Sequence, residues 1–304
     1  MVTEAQPPLE FIAPDYSPFV TRVVRSLLPW WVRRSAKLSQ IEATNTEQLV
    51  ELYRQFQAGE IRLMLAFRHP STNDPYCLAH LLWRELPKTA KAMGVPFPAI
   101  PHMHFIYDRG IPLWAGSAVG WLYTKLGGTP IRRGKVDIPG LRSIRQLFVD
   151  GQFPLAAAPE GATNGHNEIV SPIEPGIAQF GFWAIDDLKK AGRSERVVIL
   201  PVGIQYHFVD RPWSVLEALL QELEIDSGLT PAVPQPALSP TLSDSTFTSE
   251  QKVKLYHRLY RLGEHLLTQM EDYYRKFYKQ MLPAALSAAP VGAAPVSASP
   301  STAP

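Results

Sequence analysis

The stretch IRLMLAFRHPSTNDPYCLAHLLWREL, residues 61–86, decides the architecture. It opens on a short apolar run that stops abruptly at polar turn formers, the pattern of a buried strand. Ser71, Thr72, Asn73 and Asp74 then offer side-chain caps to a segment whose apolar positions recur at helical spacing. His69 is thereby placed at a strand end and Asp74 at a helix start. A carboxylate in that position can turn back onto the imidazole, hold one tautomer and stabilise the imidazolium formed when the other nitrogen takes a proton. The pair is a base with its orienter, and the sequence offers no obvious protein nucleophile beside it. A substrate hydroxyl would itself attack.

Outward from this unit, strands and helices alternate without a break, which predicts an α/β fold: a single central, mostly parallel sheet flanked by helices. The expected organisation is an N-terminal amphipathic, membrane-associating segment over residues 1–60 and the α/β core over 61–226. A Pro/Ser/Thr-rich loop follows at 227–247, then an amphipathic helix at 248–282 and a disordered Ala/Pro/Ser tail at 283–304. Thr248 followed by Gln251 predicts a capping box at the start of that last helix, which would pack on the core or on a partner. In VVILPVGI, residues 197–204, Pro201 is expected to end or bend a buried strand.

In SPFVTRVVRSLLPWWVRR, residues 17–34, Arg22, Arg25, Arg33 and Arg34 alternate with aliphatic residues and the Trp30–Trp31 pair. Rings at the headgroup level and guanidinium groups on lipid phosphate suit a membrane boundary, and the segment is too short and too charged to span one. Pro29 is expected to divide it into two pieces. IPLWAGSAVGWLYTKLGG, residues 111–128, reads as a buried core helix whose Trp114, Trp121 and Tyr123 are also suited to an acyl chain.

The balance of 30 Lys and Arg against 28 Asp and Glu is near neutral and forms no basic stripe, which argues against a nucleic-acid-binding protein. One cysteine, Cys77, excludes an intramolecular disulfide and fits a reducing compartment. Cys77 with His80, and His102 with His104, are each one pair only, so no metal is expected. The start of the chain has no signal-peptide pattern. Oligomeric state is not legible.

Four blocks, HPSTND at 69–74, GGTPIRR at 127–133, APEG at 158–161 and ILPVGI at 199–204, occur in the order found in the glycerolipid acyltransferase family, the lysophosphatidic acid acyltransferase-like enzymes. The chain resembles that family over roughly residues 60–205. The resemblance implies a membrane-associated O-acyltransferase without a resident cofactor. Acyl-CoA or acyl-carrier protein would be the donor, and a membrane lipid the acceptor, by default lysophosphatidic acid. It casts His69 as the general base and Asp74 as its partner, Arg133, or Arg132 beside it, as the acceptor-phosphate arginine, and Glu160 and Gly161 as acceptor-lining residues. Backbone amides near Asp74 would stabilise the oxyanion. The implied location is the cytoplasmic face of a membrane, peripheral or monotopic.

The chain also departs from the family pattern. Arg68 stands where an asparagine often precedes the histidine. Ala162, Thr163 and Asn164 follow the Glu-Gly pair where Thr and Arg are usual, and NGHNE, residues 164–168, is inserted beyond them. Glu174 and Pro175 precede Gly176 where basic residues are common. Each lost charged hydrogen bond to a phosphate costs about 1.5–3 kcal/mol, which favours an acceptor with less phosphate, down to a neutral lipid alcohol. Two other classes compete: a hydrolase using the same pair on water, although no G-x-S-x-G elbow is present, and a catalytically silent membrane-binding protein.

Overall fold

The computed structural model describes residues 9–95, 97, 99–134, 136–229 and 248–279, which belong to two compact units, Met1–Tyr206 and His207–Pro304. The first unit is built on five strands, β1 (Ile61–Phe67), β2 (His104–Asp108), β3 (Gly128–Ile131), β4 (Leu155–Ala157) and β5 (Arg196–Val202). They lie in the order β3-β2-β4-β1-β5, and every neighbouring pair is parallel. Helices α1 (Pro18–Arg34), α2 (Thr46–Gln57), α3 (Asp74–His80), α4 (Leu86–Ala92), α5 (Ile111–Ala115), α6 (Ser117–Lys125), α7 (Ile138–Asp150) and α8 (Gly176–Lys190) surround the sheet, with a π-helical turn at Leu81–Glu85 joining α3 to α4.

Strand side chains alternate between faces, so β1 serves two cores. Ile61, Leu63, Leu65 and Phe67 pack with Leu49, Val50, Tyr53 and Phe56 of α2 and with Leu78, Leu82 and Leu86. Met64 faces the other way, onto Ile144 and Phe148 of α7 and Phe180, Ala184 and Leu188 of α8. Arg62 interrupts the apolar run and is nonetheless buried. Its guanidinium donates to the carbonyls of Phe148 and Gly151, both at 2.7 Å, at the C-terminal end of α7, where backbone carbonyls lack helical partners. Burial lowers its pKa to about 10, with the nearby Arg193 adding to the shift.

Several expectations are corrected. Pro29 does not divide α1, which runs unbroken to Arg34; Pro29 is exposed, so the carbonyl it deprives of a helical donor can be hydrated. Pro201 lies inside β5, paired with Ala66, and neither ends a strand nor sits in a buried one, because β5 is a sheet edge where a missing N–H is tolerated. Residues 111–128 form no single buried helix. Gly116, at φ 92°, separates α5 from α6, and Trp114 and Trp121 are 74% and 55% exposed.

In the second unit, α9 (Trp213–Asp226) packs on α10 (Ser249–Tyr278), so residues 207–226, expected with the core, lie instead with the long helix. The Thr248–Gln251 capping box is formed. Buried Glu224 receives two hydrogen bonds from Arg258, at 3.2 and 2.7 Å. Of the loop expected at 227–247, residues 227–229 are described, and the tail expected at 283–304 lies outside the described residues.

Candidate active site

Parallel pairing brings the C-terminal ends of three adjacent strands together, the edge at which open α/β sheets present their chemistry. Ala66 of β1 is in register with Ala157 of β4, so His69 and Glu160 each stand three residues past a paired position. On the other side of β1, Phe67 is in register with Val202, and the chain beyond β5 carries Tyr206 into the same crevice.

His69 Nδ1 lies 2.7 Å from Asp74 Oδ2. Asp74 is wholly buried, and its carboxylate is further filled by the Ser71 amide on Oδ2 at 3.0 Å and the Tyr206 hydroxyl on Oδ1 at 2.6 Å. With Asp74 as carboxylate and His69 as neutral imidazole, Nδ1 donates to the carboxylate and Nε2 is left as an acceptor. Thr163 Oγ1 lies 2.9 Å from that Nε2. Tyr206 is anchored through its backbone by the Asn167 side chain, which donates to the Tyr206 carbonyl at 2.7 Å and accepts from its amide at 2.9 Å. Burial, and donation to Asp74, push the Tyr206 phenol far above its ordinary pKa, so it is a permanent donor. Cys77 Sγ sits 3.4 Å from the same hydroxyl, and burial raises its pKa.

Glu160 organises this turn from within. Its Oε1 accepts from the His69 amide at 3.1 Å and its Oε2 from the Ser171 amide at 2.9 Å and from the Asn164 side chain. Burial opposes its ionisation, but the Ser171 and His69 amides and the Arg68 charge outweigh it and hold the carboxyl below its usual range. With its lone pairs engaged and its side chain enclosed, Glu160 is a bridge between the His69 and Gly161 turns. The Asn164 amide adds a second bridge, donating to the His69 carbonyl at 3.1 Å.

Gly161 needs its lack of a side chain. It has φ 70°, and a Cβ there would lie 2.1 Å from Glu174 Oε1 and 3.3 Å from an Arg133 nitrogen. Arg133 is thus brought to the Glu160–Gly161 turn, where it faces Glu174 at 3.9 Å. Arg132 is exposed; its amide donates to Asp137 Oδ2 at 2.7 Å, and Asp137 also caps α7 and holds Arg109. The structure therefore assembles His69, Asp74, Glu160, Gly161 and Arg133, and shows no contact of Arg132 with them among the described residues.

Arg68 and the loop at 164–169 form one feature. Arg68 donates to the carbonyls of His166, Asn167 and Ile169, stapling the inserted loop beside the dyad. The oxyanion donors expected near Asp74 are mostly spent, since the amides of Ser71, Asn73, Asp74 and Tyr76 bond within the turn. His102 and His104 do not form a ligand pair. His102 precedes β2 and His104 begins it, and their rings meet the carbonyls of Leu126 and Gly127, each at 2.9 Å. Among the described residues no cluster of His, Cys, Asp and Glu fits a metal ion. Two surface grooves, about 470 and 650 Å³, run along α7 and contain no residue of the dyad.

Sequence reasoning missed Thr163 as a partner of His69, and it missed Tyr206 and Asn167; the last two lack a local signal, being joined to the site only by tertiary structure. No protein-family model, curated protein or solved structure matches the chain.

Proposed function

We propose that this protein is an O-acyltransferase that moves a fatty acyl group from a thioester of CoA or acyl-carrier protein to the hydroxyl of a membrane lipid. The observation that carries this reading is the His69–Asp74 dyad, with Nδ1 held by a buried carboxylate and Nε2 presented as a base towards an exposed hydroxyl. His69 is the general base that takes the proton of the attacking hydroxyl, and its imidazolium returns a proton to the group that leaves the acyl carbonyl. The family resemblance makes lysophosphatidic acid the default acceptor. A second reading, an acceptor with less phosphate, is favoured by the Arg133–Glu174 contact, because the arginine suited to a phosphate already faces a carboxylate.

Membrane contact is supported by two exposed apolar surfaces of the first unit. On α1, Phe19, Val23, Leu27, Trp30 and Trp31 recur at helical spacing and are exposed, while Leu28 and Val32 on the opposite side pack into the core. Arg22, Arg33 and Arg34 are exposed beside that stripe. Trp114 and Leu113 of α5 and Trp121 of α6 form the second surface. This composition suits a peripheral contact with the cytoplasmic face of a membrane. Among the described residues, no helix is long and apolar enough to cross one.

The test offers purified protein and its His69→Ala variant radiolabelled acyl-CoA or acyl-carrier protein, with lysophosphatidic acid or a monoacylglycerol as acceptor. Ester formation should fall by roughly 10²- to 10⁴-fold in the variant. A folded variant with an unchanged rate sinks the assignment, and the acceptor that is esterified decides between the two readings.

A further inference from the structure

Thr163 is the residue of the crevice that the reaction above leaves without a task, and its position is specific. Its hydroxyl is 2.9 Å from His69 Nε2, and His69 Nδ1 is 2.7 Å from Asp74. In the neutral imidazole with its proton on Nδ1, the hydrogen bond at Nε2 runs from the threonine hydroxyl to the ring lone pair. A nucleophile bonded to a base that is oriented by a third group is the arrangement that activates a hydroxyl side chain.

The turn that carries Thr163 is tied to the His69 turn at the residues flanking it. The Asn164 amide bonds to the His69 carbonyl, and the Glu160 carboxylate spans the His69 amide and the Asn164 side chain. Thr163 itself is exposed, so an incoming thioester carbonyl has access to its oxygen. One lone pair on Nε2 serves one hydroxyl at a time. An acceptor hydroxyl can reach the base only when Thr163 no longer occupies it, and acylation of Thr163 would remove its hydroxyl hydrogen and free Nε2.

We propose that Thr163 is the first nucleophile, forming an acyl-threonine ester that His69 then passes to the acceptor. The inference rests on the acyl-transfer reading. In the first half, the Thr163 Oγ–H proton moves to His69 Nε2, the Oγ–carbonyl bond forms, and the carbonyl–sulfur bond breaks. His69 then protonates the departing thiolate. In the second half, the acceptor hydroxyl gives its proton to the same nitrogen, its oxygen bonds to the carbonyl, and Thr163 leaves with the proton from His69. Each half is redox-neutral and needs no further reagent.

The experiment quenches enzyme mixed with palmitoyl-CoA in the absence of acceptor, reads the intact mass and maps the modified peptide, for the unaltered protein, Thr163→Ala, Thr163→Ser and His69→Ala. Transfer to lysophosphatidic acid and to a monoacylglycerol is measured in parallel. The expected result is one palmitoyl group on Thr163 that is lost in Thr163→Ala and His69→Ala, kept on the serine of Thr163→Ser, and chased into ester when acceptor is added. Transfer in Thr163→Ala should fall at least about 100-fold. His69-dependent transfer with no acyl-enzyme, with acylation mapped to Cys77, or with Thr163→Ala within threefold of the unaltered protein overturns the proposal and leaves the acyltransferase reading standing. An acyl-Thr163 that releases only free fatty acid upholds Thr163 as nucleophile and overturns transfer. Neither adduct nor transfer overturns both.

Discussion

Asp74 is wholly buried, and the groups around it are matched to a carboxylate. Every approach to its carboxylate is occupied by a donor: His69, the Ser71 amide and the Tyr206 hydroxyl. Hydrogen bonds to a buried charge are worth about 1.5–3 kcal/mol each. Tyr206→Phe should therefore lower unfolding stability by about that amount in urea denaturation. It should also reduce kcat more than it raises KM, because Tyr206 acts through Asp74 and not on substrate. An unchanged stability would mean that water replaces the phenol and that the bond is incidental. The His69–Asp74 pair was legible because its five-residue spacing bridges one strand end and one helix start. Tyr206 was not, since it reaches Asp74 from 132 residues away. Thr163 was visible in the sequence only as a departure from the family pattern; its contact with His69 crosses 94 residues.

Among the elements, α1 and the α5–α6 pair carry apolar surface that the fold leaves uncovered. On α1, Leu28 and Val32 pack into the core, while Phe19, Leu27, Trp30 and Trp31 on the other side of the same helix are exposed. For α5 and α6 a buried helix was the expectation, and the break at Gly116 turns Trp114 and Trp121 outwards. Close packing of the two short helices requires Gly120, where a Cβ would lie 2.8 Å from the Pro112 ring. Tryptophans at an interface supply large apolar area. Trp114→Ala combined with Trp121→Ala should weaken cosedimentation with anionic phospholipid vesicles by about tenfold or more. Vesicle binding equal to that of the unaltered protein would exclude this surface from membrane contact.

At the scale of the whole molecule, the buried histidines make the stability of the first unit depend on pH. His102 is enclosed by Trp83, Phe153 and Tyr16, and burial lowers its pKa to about 4. The unfolded chain binds a proton at this residue below an ordinary histidine pKa of 6.5, and the folded chain does not until about 4. Stability is therefore undiminished above pH 6.5 and falls as the pH drops from there towards 4. Burial shifts His104 the same way. His102→Gln, which keeps a donor for the Leu126 carbonyl without a titrating group, should flatten this part of the pH dependence of urea unfolding; an unaltered slope would place the acid sensitivity elsewhere. By itself the sequence determined the α/β class, β1 with its turn and helix, the dyad, and the capped start of α10, because each follows from hydrophobic period or spacing within a few residues. Tertiary structure alone decided that the strands lie in the order β3-β2-β4-β1-β5, that Glu160 is enclosed, that Arg133 faces Glu174, and that Thr163 and Tyr206 meet the dyad. Those contacts join residues from separate strand ends, and only the register of the folded sheet determines which strand ends become neighbours.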